Sequence, residues 1–165
     1  MTAIALDLSY RTEKFLSRLS LQSVSVEPRA TTTRPGALNA CECSGELAKL
    51  SHSRLRHVMM IVAGIANEQT YTRMAWEITG ELPSMDWYAQ INPSDTDQAA
   101  RLENIINFAI CQLAGQQAKA EHKGAALGIS TRGYNKTWRP READIYQLLI
   151  QWAHDADYEI NRLLK

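Results

Sequence analysis

Residues 116–138 read QQAKAEHKGAALGISTRGYNKTW, and their spacing sets the architecture expected of the chain. Two short helices packed at a steep angle need a small residue in the first, a flexible one in the turn four places later, and apolar residues at set places in the second. Gly124 is the small residue and Gly128 the turn. Leu127 and Ile129 bracket the turn as an inward-facing pair, Tyr134 and Trp138 supply apolar contacts from the second helix, and Ser130 suits its cap. Thr131, Arg132, Asn135 and Lys136 are then left on the outer face, where a recognition helix presents groups to base edges or phosphates. Gly124 and Gly133 both lower helix propensity. The plainer alternative is that Gly128 ends a core helix and the cations solvate a loop.

Charge favours the first reading. Between Gln117 and Arg141 lie Lys119, Lys123, Arg132, Lys136, Arg139 and Arg141 against the single acid Glu121, a local excess of five positive charges. The whole chain of 165 residues balances 18 basic against 18 acidic side chains, so nothing global argues for nucleic acid or an anionic membrane, and any such argument is local. The expected DNA-contacting set is Lys119, Lys123, Ser130, Thr131, Arg132, Asn135, Lys136, Arg139 and Arg141.

On either side the apolar pattern is helical. Leu47, Leu50, Leu55, Val58, Met59 and Val62 fall near helical spacing. Asn67 to Thr79 reads as a second helix, with Tyr71, Met74, Ala75 and Ile78 on one face, closed by Gly80 and Pro83. After the proline-bounded connection PSMDWYAQINP, Ser94 and Asp97 approximate a capping box for a long helix through Leu102, Ile105, Ile106, Ala109, Ile110 and Leu113, ending near Gly115. A last helix is predicted after Arg139, because Pro140 suits a first turn and disfavours helical geometry in the residue before it. Its stripe is Ile145, Leu148, Leu149, Trp152, Ala156, Ile160 and Leu163. The fold class is all-α: a multi-helix domain over 46–165, with the helix-turn-helix at about 117–138 and a long terminal helix. Residues 1–45 are expected to form an extended, mobile N-terminal arm. There the amphipathic piece ALDLSYRTEKFLSRLS precedes a Ser-, Thr- and Pro-rich linker in which Val24 and Val26 could form one short strand.

Catalytic arrangements do not stand out, and the chain is not expected to be an enzyme. His52, His57, His122 and His154 lie on different predicted elements. Asp95 with Asp97, and Asp155 with Asp157, are spaced by two on helix, where side chains diverge; the first pair suits a helix N-terminus. There is no phosphate-binding glycine loop and no metalloprotease motif. Trp76, Trp87, Trp138 and Trp152 are dispersed and suit packing better than a stacking platform for single strands. Cys41, Cys43 and Cys111 are an odd number without disulfide spacing, the start of the chain does not read as a signal peptide, and the apolar run Val58 to Ala66 is too short to span a bilayer. Cytoplasmic location is the expectation, with no cofactor and no membrane partner.

The tail TWRPREADIYQLLIQWAHDADYEINRLL, after a helix-turn-helix-like segment, resembles the C-terminal end of the Q-type late-gene antitermination proteins of lambdoid phages. The matching positions are Thr137 and Trp138, Arg139 and Arg141, Ile145 and Tyr146, then Leu149 and Ile160, about the last quarter of the chain. The resemblance implies sequence-specific contact with double-stranded DNA near a promoter, loading onto bacterial RNA polymerase, and terminator readthrough in a bacterial host cell. Some members carry paired Cys-x-x-Cys zinc ligands; this chain has Cys41-Glu42-Cys43 and an isolated Cys111, and no metal is carried over. From Glu42 to Gly115 acids exceed cations by four, which suits a protein partner with basic patches better than DNA. The alternatives are a helix-turn-helix repressor or activator, a small terminase-like DNA-binding subunit, and, in another class, an all-α protein–protein adaptor. Homodimerisation is left open.

Overall fold

A computed structural model describes residues 6–22 and 40–164. Among these residues there is no strand, and the chain is all-α. The helices are α1 (Tyr10–Gln22), α2 (Ala40–Ala48), α3 (Ser53–Val62), α4 (Glu68–Glu81), α5 (Thr96–Leu113), α6 (Ala120–Ala126), α7 (Thr131–Gly133) and α8 (Arg139–Leu163). Single 3-10 turns at Leu82–Ser84 and Tyr88–Gln90 break up the connection between α4 and α5, and a π-helical turn, Tyr134–Trp138, joins α7 to α8. The expected strand at Val24 and Val26 lies outside the described residues. No helix among the described residues is long and apolar enough to cross a membrane.

The chain divides into two compact units: residues up to Asn67 together with those from Gln151, and Glu68–Ile150. In the second unit Met74 and Ile78 of α4, Ile105, Ile106, Ala109, Ile110 and Leu113 of α5, and Ile145 and Leu149 of α8 are buried, at the helical spacings expected of them, and Ile150, outside the expected stripe, is buried as well. In the first, Leu47, Leu55, Val58, Met59 and Ile61 are buried together with Trp152, Ala153, Ala156 and Ile160.

Three boundaries differ from the sequence reading, each for a local reason. The cap of α5 is Asp95 and not Ser94: its Oδ1 accepts the backbone N–H groups of Asp97 and Gln98 at 3.0 and 3.2 Å. A carboxylate at this position also meets the positive end of the helix dipole. Gly80 lies inside the last turn of α4, which runs to Glu81. Arg139 is helical (φ −61°, ψ −41°), so the chain does not break before Pro140. Proline at 140 cannot donate to the carbonyl four residues back, and its ring would press on it. The π turn, in which the Arg139 N–H reaches back five residues to the Tyr134 carbonyl, falls where that bond is missing and lets the helix continue.

Within the segment expected as an arm, Tyr10–Gln22 and the residues from Ala40 are helix. Leu8, Phe15, Leu16 and Leu19 are buried, as is Thr12. Ser9 opens α1, and its hydroxyl donates to Asp157 Oδ1 at 2.7 Å while its backbone N–H reaches Asp157 Oδ2 at 3.3 Å. The physical reason is the spacing of Leu8, Thr12, Phe15, Leu16 and Leu19, which is that of one helical face.

Candidate nucleic-acid interface

The turn between α6 and α7 is built by a glycine. Gly128 has φ +66°, and around it the Gly128 N–H donates to the Ala125 carbonyl and the Ile129 N–H to the Gly124 carbonyl, both at 3.0 Å. This double bond pattern closes α6 and needs a residue that adopts left-handed geometry without strain. Arg101 of α5 adds a third tie, its Nε donating to the Leu127 carbonyl at 3.0 Å. The next helix starts at Ser130, whose hydroxyl accepts the Gly133 N–H at 3.1 Å.

Gly124 and Gly133 have different roles. A Cβ on Gly124 would sit 3.1 Å from the Ile129 carbonyl oxygen and 3.3 Å from the Thr131 nitrogen, both backbone atoms of the turn. A Cβ on Gly133 would first meet the Ser130 hydroxyl at 3.4 Å, an ordinary contact, in helical backbone. Gly133→Ala should therefore raise stability by about 0.5–1 kcal/mol through helix propensity. Gly124→Ala, which also gains propensity, should come out neutral or destabilising because the turn must shift. Thermal melts of both variants decide it; equal stabilisation by both would mean that the turn yields freely.

The nine residues expected to contact DNA do not form one surface. Arg132, Asn135, Lys136 and Arg139 are exposed and, at spacings of three and four, share a helical face; Arg139 Nη1 lies 3.4 Å from Asn135 Oδ1. Lys119 is exposed immediately before α6, and Thr131 is half-buried. Ser130 is exposed but its hydroxyl is used as the cap.

Lys123 has to be corrected. Only 8% of it is exposed, and its Nζ is paired with Glu142 Oε1, itself 4% exposed, and sits 5.4 Å from the centre of the Phe108 ring. A charge buried and paired in this way is not available to a phosphate. The other oxygen of Glu142 accepts the Tyr134 hydroxyl at 2.7 Å. Burial first, and then the hydrogen bond and the charge of Glu142, push the Tyr134 hydroxyl well above the usual tyrosine range. One carboxylate of α8 thus holds α6 through Lys123 and the π turn through Tyr134. A signal for this was present: Ala120, Lys123 and Leu127 lie on one helical stripe, as do Glu142, Ile145, Tyr146 and Leu149.

Arg141, also expected at the DNA, is half-buried and stacked between indole rings, 4.9 Å from the Trp138 ring centre and 5.5 Å from that of Trp87. Its Nη2 donates to Gln90 Oε1 at 3.1 Å, and Trp87 Nε1 donates to Asp144 Oδ2 at 3.0 Å. Trp87 and Gln90 come from the α4–α5 connection, and nothing local in the sequence links them to Arg141.

The paired acids are structural. Asp95 caps α5, while Asp157 takes hydrogen bonds from Ser9 and Asn161. Among the described residues no three His, Cys, Asp or Glu side chains converge as a metal-ligand set; the side chains of Cys41 and Cys43 lie outside that description, and Cys111 is a free, half-buried thiol. No protein-family model matches the chain, and no curated protein or solved structure matches it at a significant level.

Proposed function

We propose that the chain is a sequence-specific reader of double-stranded DNA that acts in transcription antitermination. The observation that carries the first part is the exposed set Arg132, Asn135, Lys136 and Arg139 on one face of the helical segment entered through the Gly128 turn. Arginine and asparagine are side chains that pair bidentately with guanine and adenine edges, and lysine and arginine neutralise phosphates. The Lys123–Glu142–Tyr134 network lies behind this face and restrains the segment that carries it.

The second part rests on the resemblance of the tail to the Q-type antiterminators. In this reading the cationic face finds a promoter-proximal site, and the acidic stretch from Glu42 to Gly115 meets RNA polymerase.

Arg132→Ala should weaken cognate binding by about 1–3 kcal/mol and relax preference at one base position, whereas Lys136→Ala should weaken all sequences alike. A duplex selected from a random pool, titrated against parent and variants, checks this; unchanged binding in both variants means that another surface reads DNA. Transcription of a template carrying that site and a downstream terminator tests the rest. Readthrough that rises with the protein and disappears with Arg132→Ala supports antitermination. A change in initiation alone makes the chain a repressor or activator, and failure to bind any duplex returns the reading to a protein adaptor.

A further inference from the structure

Two cations of this unit, Lys123 in α6 and Arg141 in the first turn of α8, are treated in opposite ways. Lys123 is neutralised by Glu142, but Arg141 has no carboxylate partner among the described residues. Its guanidinium lies over the rings of Trp138 and Trp87, and its one hydrogen bond among the described residues goes to the neutral amide of Gln90. The nearby carboxylate of Asp144, one helical turn on, accepts instead from the Trp87 indole. That bond holds the ring in place over Arg141. An arginine has five N–H donors in a rigid fork, so most of this fork is unused while its stem and plane are held by aromatic faces. Partial burial works against its charge, lowering its proton affinity from the usual value. A fold that carries this cost without a counter-charge has an anion-binding group ready in position.

We propose that Arg141 is a preorganised phosphate contact on the duplex backbone, with Trp87 and Trp138 as positioning residues that fix its fork, while the face of Arg132 to Arg139 reads bases. This rests on the DNA-binding reading above and adds to it a division between a reading face and a backbone anchor contributed partly by the α4–α5 connection. A stacked arginine is presented to a phosphate with little rotamer freedom left to lose. It carries no sequence information of its own.

The test is titration of the full chain with a labelled duplex of mixed sequence in rising KCl, alongside thermal melts. Arg141→Gln should lower affinity several-fold at low salt for all sequences and reduce the log–log salt slope by about one unit. Arg141→Lys keeps the charge but loses the stack and the fork, so it should retain the slope and lose affinity. Trp87→Leu should behave as Arg141→Lys does, because the charge stays while its orientation is released. An unchanged slope in Arg141→Gln overturns the proposal, including the case in which that variant merely melts lower and the arginine is only a packing group. If the parent chain binds no duplex, the DNA-binding reading itself fails; if the parent binds, Arg132→Ala weakens binding and Arg141→Gln leaves the slope alone, only the anchor fails.

Discussion

Glu142→Ala should lose about 3–5 kcal/mol of stability, because it leaves the Lys123 ammonium buried and without its counter-charge. The Tyr134 hydroxyl loses its acceptor at the same time. Lys123→Met should also be costly, since it strands a buried carboxylate. The double variant Lys123→Met with Glu142→Leu should recover most of the loss, as an apolar pair of similar volume removes both desolvation penalties. About 1 kcal/mol should persist from the orphaned hydroxyl. Chemical denaturation of the parent, Lys123→Met, Glu142→Leu and the double variant gives the coupling directly, and losses that simply add would show the pair to be independent. If the chain binds DNA as proposed, the double variant also separates structure from recognition: with Lys123 buried, its removal should leave the salt slope unchanged.

The same network sets an alkaline limit. Folded Tyr134 keeps its proton at pH values where the unfolded residue, with an ordinary value of 10.0, has lost it. The folded state then binds more protons, so the contribution is complete below the unfolded value and declines as pH rises beyond it. Stability of the parent should fall more steeply above about pH 10 than that of Tyr134→Phe.

How much of this was legible in the chain depended on whether the cause was local. The all-α class followed from Ile105 to Leu113 and from Ile145 to Ile160, where apolar residues recur at three and four, and these residues are buried. The Gly128 turn, the Ser130 cap and the buried Leu127, Tyr134 and Trp138 were also legible, because each follows from backbone conformation or short-range spacing. Pro140 misled because its local preference is to start a helix, whereas the π turn absorbs its missing donor within a continuing one. Lys123 misled because a basic residue inside a basic run reads as surface, and its partner Glu142 falls just beyond that run. The Trp87–Arg141 stack was out of reach, since it joins residues far apart in sequence through a connection whose path no periodicity specifies.

The N-terminal segment provides the other large effect. Phe15→Ala in the full chain should cost about 3–5 kcal/mol, the usual range for emptying a buried aromatic site, because Phe15 is only 3% exposed. A mobile arm predicts no change in melting at all, and that result would support the expectation that residues 1–45 are separable. The Ser- and Thr-rich composition after Gln22 follows a stretch whose apolar spacing is that of a packed helix. Asp157 supplies an independent check. Burial raises its proton affinity, yet hydrogen bonds from Ser9, Thr12 and Asn161 together outweigh this and hold it below its ordinary value of 3.8. Its contribution is therefore present at neutral pH and lost as pH falls through and below that value. Asp157→Asn should lower stability at pH 7 and flatten the acid limb below about pH 4. Helix α1 would then lose the carboxylate that ties Ser9 and keep its apolar face and the Asn161 contacts, and amide exchange in Tyr10–Gln22 should rise in this variant more than in α5. Equal exchange in both helices would mean that the Ser9–Asp157 link does not hold α1 in place.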